Sequence, residues 1–196
     1  MKNKNLSALI KIAVLSAMAL ILMLFDFPLP IFPDFLKIDL SDLPALLGSF
    51  AMGPVAGVLI ELVKNLLNLV IRGTKTAGVG ELANFIVGAV FVFTAGTIYK
   101  NQKNRKGAVI GLVAGTLAMA VIASIANYTF LIPLYAKAFH APIEAFVQMG
   151  TKINSSITGL GTLVAYSIFP FNILKGVIVG LVTFVVYKRV SPILHR

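Results

Sequence analysis

Cysteine is absent from this chain, which excludes a disulfide framework, a thiolate metal site and a cysteine nucleophile. Histidine is nearly absent: His140 and His195 are the only two, one expected in a loop and one in the tail. Charge is scarce as well, at 12% of residues, whereas a soluble domain carries about 25% because its surface must be solvated by water. The phosphate-binding pattern G-x-x-x-x-G-K-[ST] does not occur, so ATP hydrolysis by that route is excluded. Neither H-E-x-x-H nor G-x-S-x-G is found. Without a nucleophile–base pair, the polar residues that remain point to binding rather than catalysis. Two halves with matching broken helices, common in secondary transporters, are not evident either.

What the chain has in abundance is apolar length. Of 196 residues 58% are hydrophobic, and the mean hydropathy is +0.94. The apolar runs reach the roughly 20 residues that a helix needs to cross a bilayer. They predict an all-α integral membrane protein with six transmembrane helices in one compact bundle over residues 1–196, the second helix being short. The first helix covers 6–25 and is read as retained, since no small-residue cleavage site follows it. Residues 26–41 hold Pro28, Pro30 and Pro33, too dense for a regular helix. The Phe and Leu content of this loop suggests that it folds back onto the bundle. The next apolar stretch divides at Gly53-Pro54, because proline suits the first turn of a new helix. That division gives helices over 42–52 and 54–71. A fourth is expected over 81–99 and a fifth over 108–139, bent or ended by Pro133. A polar connection at 140–161, with an amphipathic turn at 143–149, leads to the sixth helix over 162–187.

Charge placement sets an expected orientation. An even number of crossings groups Lys2, Lys4 and Lys11 with Lys100, Lys103, Arg105 and Lys106 and with Lys188, Arg189 and Arg196, and no acidic residue shares their side. By the positive-inside rule this side is cytoplasmic, with both termini there, in a multi-pass protein of the cell membrane. The net charge of +10 is then a matter of topology and needs no nucleic acid.

Against this apolar background a few polar side chains stand out, each costly where it enters a bilayer. Glu61, Lys64, Asn65 and Asn68 recur at i, i+3, i+4 and i+7 and form one stripe of a helix. Glu81 and Asn84 open the fourth helix; Asn127, Tyr128 and Thr129 lie far along the fifth; Asn172 and Lys175 share a face of the sixth. With the orientation above, nearly all of them fall in the outer half. That depth suggests a cavity open to the outside and bounded below by Lys175 and Glu61. Each residue also has a structural reading. Glu61 and Lys64 at i, i+3 can neutralise one another, and asparagines can hydrogen-bond between helices. The small-residue pairs Ala13/Ala17, Gly53/Gly57, Gly107/Gly111/Gly115 and Gly176/Gly180 suit close helix packing.

Four stretches carry a family resemblance: Lys37-Ile-Asp-Leu-Ser-Asp-Leu-Pro44 leading to Gly53-Pro54, Glu61-Leu-Val-Lys-Asn-Leu-Leu67, Gly78-Val-Gly-Glu-Leu-Ala-Asn-Phe85, and Pro170-Phe-Asn-Ile-Leu-Lys-Gly176. Over nearly its whole length the chain resembles the substrate-binding (S) components of energy-coupling factor (ECF) vitamin transporters, specifically their riboflavin-binding type. The resemblance implies a single transmembrane substrate-binding domain that takes riboflavin as transported substrate, with no cofactor. It implies partners too: a membrane coupling subunit of the EcfT type, packed on Ala13 and Ala17, and two ABC-type ATPases. Asn127, Asn172 and Lys175 match family positions that bind the flavin ring. The ribityl hydroxyls are expected to meet Asp39, Asn65, Asn68, Glu81 or Asn84, with Leu40 beside Asp39 in the capping loop. The competing expectations are an S component for another solute, a proton-coupled carrier using Glu61 and Lys64, and a membrane enzyme.

Overall fold

In a computed structural model the backbone is described for residues 2–194 and the side chains for residues 5–187. The side chains of Lys2, Lys4, Lys188, Arg189, His195 and Arg196, counted above for charge and for histidine, lie outside the described residues. Helix α1 spans Lys2–Met23, and a two-residue antiparallel hairpin, β1 (Phe27–Pro28) with β2 (Lys37–Ile38), follows it. Then come α2 (Asp42–Met52), α3 (Pro54–Arg72), α4 (Val79–Asn101) and α5 (Arg105–Ala126). A π-helical turn, Asn127–Leu131, joins α5 to α6 (Ile132–Ala138). After α7 (Ile143–Thr151), α8 (Leu160–Leu163) leads through a second π-helical turn, Val164–Ile168, into α9 (Phe169–Leu194).

Five of these segments are long and apolar enough to cross a bilayer: Asn5–Met23, Pro54–Arg72, Val79–Asn101, Arg105–Ala138 and Leu160–Tyr187. α2 is apolar but has only 11 residues, and nine of them, from Asp42 to Phe50, are buried. It ends at Gly53, whose φ of 102° a side chain would resist, and Pro54 then opens α3.

The fifth expected helix is corrected by the structure. Pro133 does not end it: 105–138 runs on as one candidate span through α5, the π turn and α6. Proline lacks an N–H, and its ring clashes with the carbonyl four residues back. The wide turn just before Pro133 changes the local register and accommodates it. Pro170 stands in the same relation to the turn at Val164–Ile168, and the two π turns touch each other.

Apolar packing falls into two large clusters and a small third one around Val79, Ala126 and Leu131. Leu46, Phe50, Ile60, Phe91, Val92, Ala95 and Met119 form the larger cluster. Gly111 and Gly115 lie against Ala95 and Phe91, so this glycine spacing serves the α4–α5 contact. Phe32, Leu36, Ile38, Phe146, Ile168 and Phe171 form the second cluster, with Phe32 edge-on to Phe171 at 5.3 Å. The proline-rich loop does fold back onto the bundle. Its hydrophobic residues are what hold it there.

Candidate ligand cavity between the first loop and helices α3 to α9

α3 turns its polar stripe inward. Its buried residues include Glu61, Lys64, Asn65 and Asn68, while Val55, Leu66 and Val70 face outward. That arrangement inverts a soluble amphipathic helix and suits a lipid solvent. Beside this stripe is a cavity of about 490 Å³, within the ordinary range for small-molecule sites.

The 26–41 loop contributes Phe35, Leu36 and Asp39 to the wall, α3 contributes Asn68, and α4 contributes Glu81, Asn84 and Val87. Asn127 comes from the first π turn, Tyr135 from α6, Phe146 from α7, and Phe171, Asn172 and Lys175 from α9. Seven of the expected ligand residues therefore surround one space: Asp39, Asn68, Glu81, Asn84, Asn127, Asn172 and Lys175. Asn65 is buried but outside the lining, and Leu40 packs against the larger apolar cluster. Tyr128 and Thr129, next to Asn127, are turned outward.

Some polar atoms around the cavity are hydrogen-bonded within the protein and some are left without a partner. Asn127 and Asn172 each donate Nδ2 to the backbone carbonyl four residues back, Ala123 and Ile168, at 2.8 Å. Asn65 does the same to Glu61. Those bonds hold the amides in place. The buried Oδ1 atoms of Asn68 and Asn84 have no hydrogen-bond partner among the described residues, and a buried acceptor without a donor is costly. Glu81 accepts from the hydroxyls of Thr74 and Thr76 at 3.1 and 3.2 Å.

Under the cavity is an ion cluster of a kind that sequence spacing revealed only in part. Lys64 reaches Glu61 at 2.6 Å, Asp42 at 2.8 Å and the Ser41 hydroxyl at 3.0 Å. Lys175 reaches Asp42 at 3.2 Å and Asp39 at 3.4 Å. The expected Glu61–Lys64 pair is present, but Asp42 joins it. The expectation that Glu61 bounds the cavity is corrected. Glu61 is fully buried and absent from the lining, because Lys64 holds it within the bundle. Lys175 does form part of the lining.

At the cavity mouth, Asp26 accepts from Lys37 at 3.0 Å and from Arg72 at 2.9 Å, joining the loop to the end of α3. Burial alone would raise the Asp26 carboxyl. The two cations outweigh it and hold the group below the ordinary carboxylate range. A lowered folded-state pKa means that the contact stabilises the structure above the unfolded pKa and fades as pH falls through the folded one. The window lies below about pH 4. A spin label at the exposed position 31 should therefore gain mobility below that pH, whereas Asp26→Asn should already be more mobile at pH 7 and gain less in acid. Identical mobility in both proteins at pH 7 would remove the contact's role in loop closure.

The aromatic wall was not identified from sequence. Phe35, Tyr135, Phe146 and Phe171 read there as ordinary apolar residues, and only the folded-back loop and α7 bring them together.

Comparison with known proteins agrees over the full length. A family model described as "ECF transporter, substrate-specific component" matches residues 7–187. The chain is 39% identical to "Riboflavin transporter RibU" of Staphylococcus aureus, over 100% of this chain and 94% of that protein. It is 36% identical to "Riboflavin transporter FmnP" of Bacillus subtilis, over 94% and 92% of the two chains. A solved structure described as the S component of a bacterial ECF transporter superposes with a TM-score of 0.76 at 39% identity, covering all of both chains.

Proposed function

This chain belongs to the family of substrate-specific components of ECF transporters, and on that premise we propose that it is the riboflavin-binding subunit of such a transporter. The observation that carries the reading is the cavity itself. Aromatic and apolar walls stand over a floor of Asn127, Asn172 and Lys175. An isoalloxazine ring requires flat apolar walls and both donors and acceptors along its pyrimidine edge. The two amides offer both kinds, and the lysine offers donors. The side chains of Asn68 and Asn84, with Glu81 and Asp39, line the cavity and suit the hydroxyls of a ribityl chain. The relatives named above are riboflavin transporters, which favours this vitamin over another solute.

In the same reading, residues 1–196 act as one transmembrane unit with six crossings. The sixth is the short α2. Leu36, Ile38, Asp39 and Ser41 are buried, so the chain is already inside the bundle when α2 begins. Its 11 residues, about 16 Å of helix, then need to cover only part of a hydrocarbon core of about 30 Å. Irregular backbone at that depth is tolerated because protein encloses it. The distribution of basic residues favours a cytoplasmic side for both termini, with the cavity mouth outside.

Energy for uptake comes from partners, an EcfT-type membrane subunit and two ABC-type ATPases. Ala13 and Ala17 are exposed on α1 between Ile10, Val14, Met18 and Ile21, all exposed too. A smooth apolar face of that kind suits a helix of the coupling subunit.

The purified protein should carry a flavin absorption spectrum or acquire one with added riboflavin. Asn172→Ala and Lys175→Ala should each weaken binding by about tenfold or more, since each leaves polar edges of the ligand unpaired. A colourless protein that ignores riboflavin would overturn the proposal.

A further inference from the structure

Lys175 is held by two carboxylates that differ in kind. Asp39 lines the cavity and belongs to the loop that covers it. Asp42 is 1% exposed, has no part in the lining, and opens a helix that is almost entirely enclosed. It is also held from behind by Lys64 at 2.8 Å, which Glu61 and the Ser41 hydroxyl brace in turn. A lysine head is a point charge on a flexible four-carbon stem, so its location depends on its anchor. Its ammonium has three N–H donors. Among the described residues Asp39 accepts one hydrogen bond from it, and Asp42 Oδ2 lies within ion-pair distance at 3.2 Å, which leaves donor capacity for an acceptor on a ligand.

We infer that Asp42 is the positioning residue for Lys175: without touching ligand, it holds the ammonium at the cavity floor where the flavin ring binds. Asp39 is the less constant anchor, since it lies 3.4 Å away on the proline-rich loop rather than on a helix. Asp42 keeps its place because α2 and Lys64 fix it. The inference rests on the reading of Lys175 as a flavin ligand.

The test is a double-mutant cycle with riboflavin as the probe, read by equilibrium binding and by the visible absorption band of the bound flavin, which responds to charge near the ring. Asp42→Asn should weaken binding by about tenfold or more in the native background, and by about threefold or less once Lys175→Ala has removed the group it positions. The band should shift in Asp42→Asn towards its position in Lys175→Ala. Equal losses in both backgrounds, or an unmoved band, would overturn the inference. Should Asp42→Asn fail to fold, Asp42→Glu keeps the charge but moves it by one methylene. It should then fold and still shift the band, whereas native affinity with a native band counts against the inference. Failure of the underlying reading looks different, because Lys175→Ala alone would then bind riboflavin as tightly as the native protein.

Discussion

Lys64→Ala is expected to destabilise the protein by about 3–5 kcal/mol, because it strips the shared partner from two buried carboxylates. Glu61 and Lys64 are fully enclosed and Asp42 is 1% exposed, so water cannot replace the ammonium. The loss is a large share of a net stability of about 5–15 kcal/mol. Thermal melting in detergent should show a pronounced drop or no cooperative transition. The paired variant Lys64→Met with Glu61→Gln should recover much of it. The cluster goes from three carboxylates and two ammoniums to two and one, so its excess charge is unchanged. Exchanging a buried ion pair for neutral groups of similar volume is often close to neutral. A Lys64→Ala protein that melts with the native one would show that the cluster contributes nothing to folding.

Gly88→Ala carries the second large effect, from one added methyl. A Cβ at 88 on α4 would run into the Glu61 carboxylate, with Glu61 Cδ at 2.8 Å and Asp42 Oδ1 at 3.4 Å. The far end of a glutamate normally swings aside at little cost. Here Lys64 holds it at 2.6 Å inside a closed core, so helix or carboxylate must shift. Overpacking of this kind costs about 1–3 kcal/mol. The penalty should shrink when Glu61→Ala is combined with it, which separates contact with the carboxylate from a general effect on α4. Undiminished loss in the double variant would place the clash elsewhere.

Both effects concern a cluster that spacing along the chain revealed only in part. Glu61, Lys64, Asn65 and Asn68 fall on one stripe by helical period alone, and α3 buries that stripe. Asp42 carries no comparable signal. It lies 22 residues from Lys64 and in sequence reads as an ordinary first-turn acid of α2. Asp39 and Lys175 are separated by 136 residues, and no local pattern relates them. The π turns were hidden for a similar reason. Pro133 and Pro170 announce a disturbance, but whether a helix bends, stops or widens depends on what packs around it.

By itself the sequence determined the solvent, the approximate places of the apolar segments, the break at Gly53-Pro54 and the candidate polar residues. Those follow from composition and short-range periodicity, which lipid and the helix impose on every stretch alike. Only the tertiary structure decided that Phe35, Tyr135, Phe146 and Phe171 form one wall, and that Asp42 links Lys64 to Lys175. These contacts join residues distant in the chain, and their pairing is settled by packing, which no window of sequence contains.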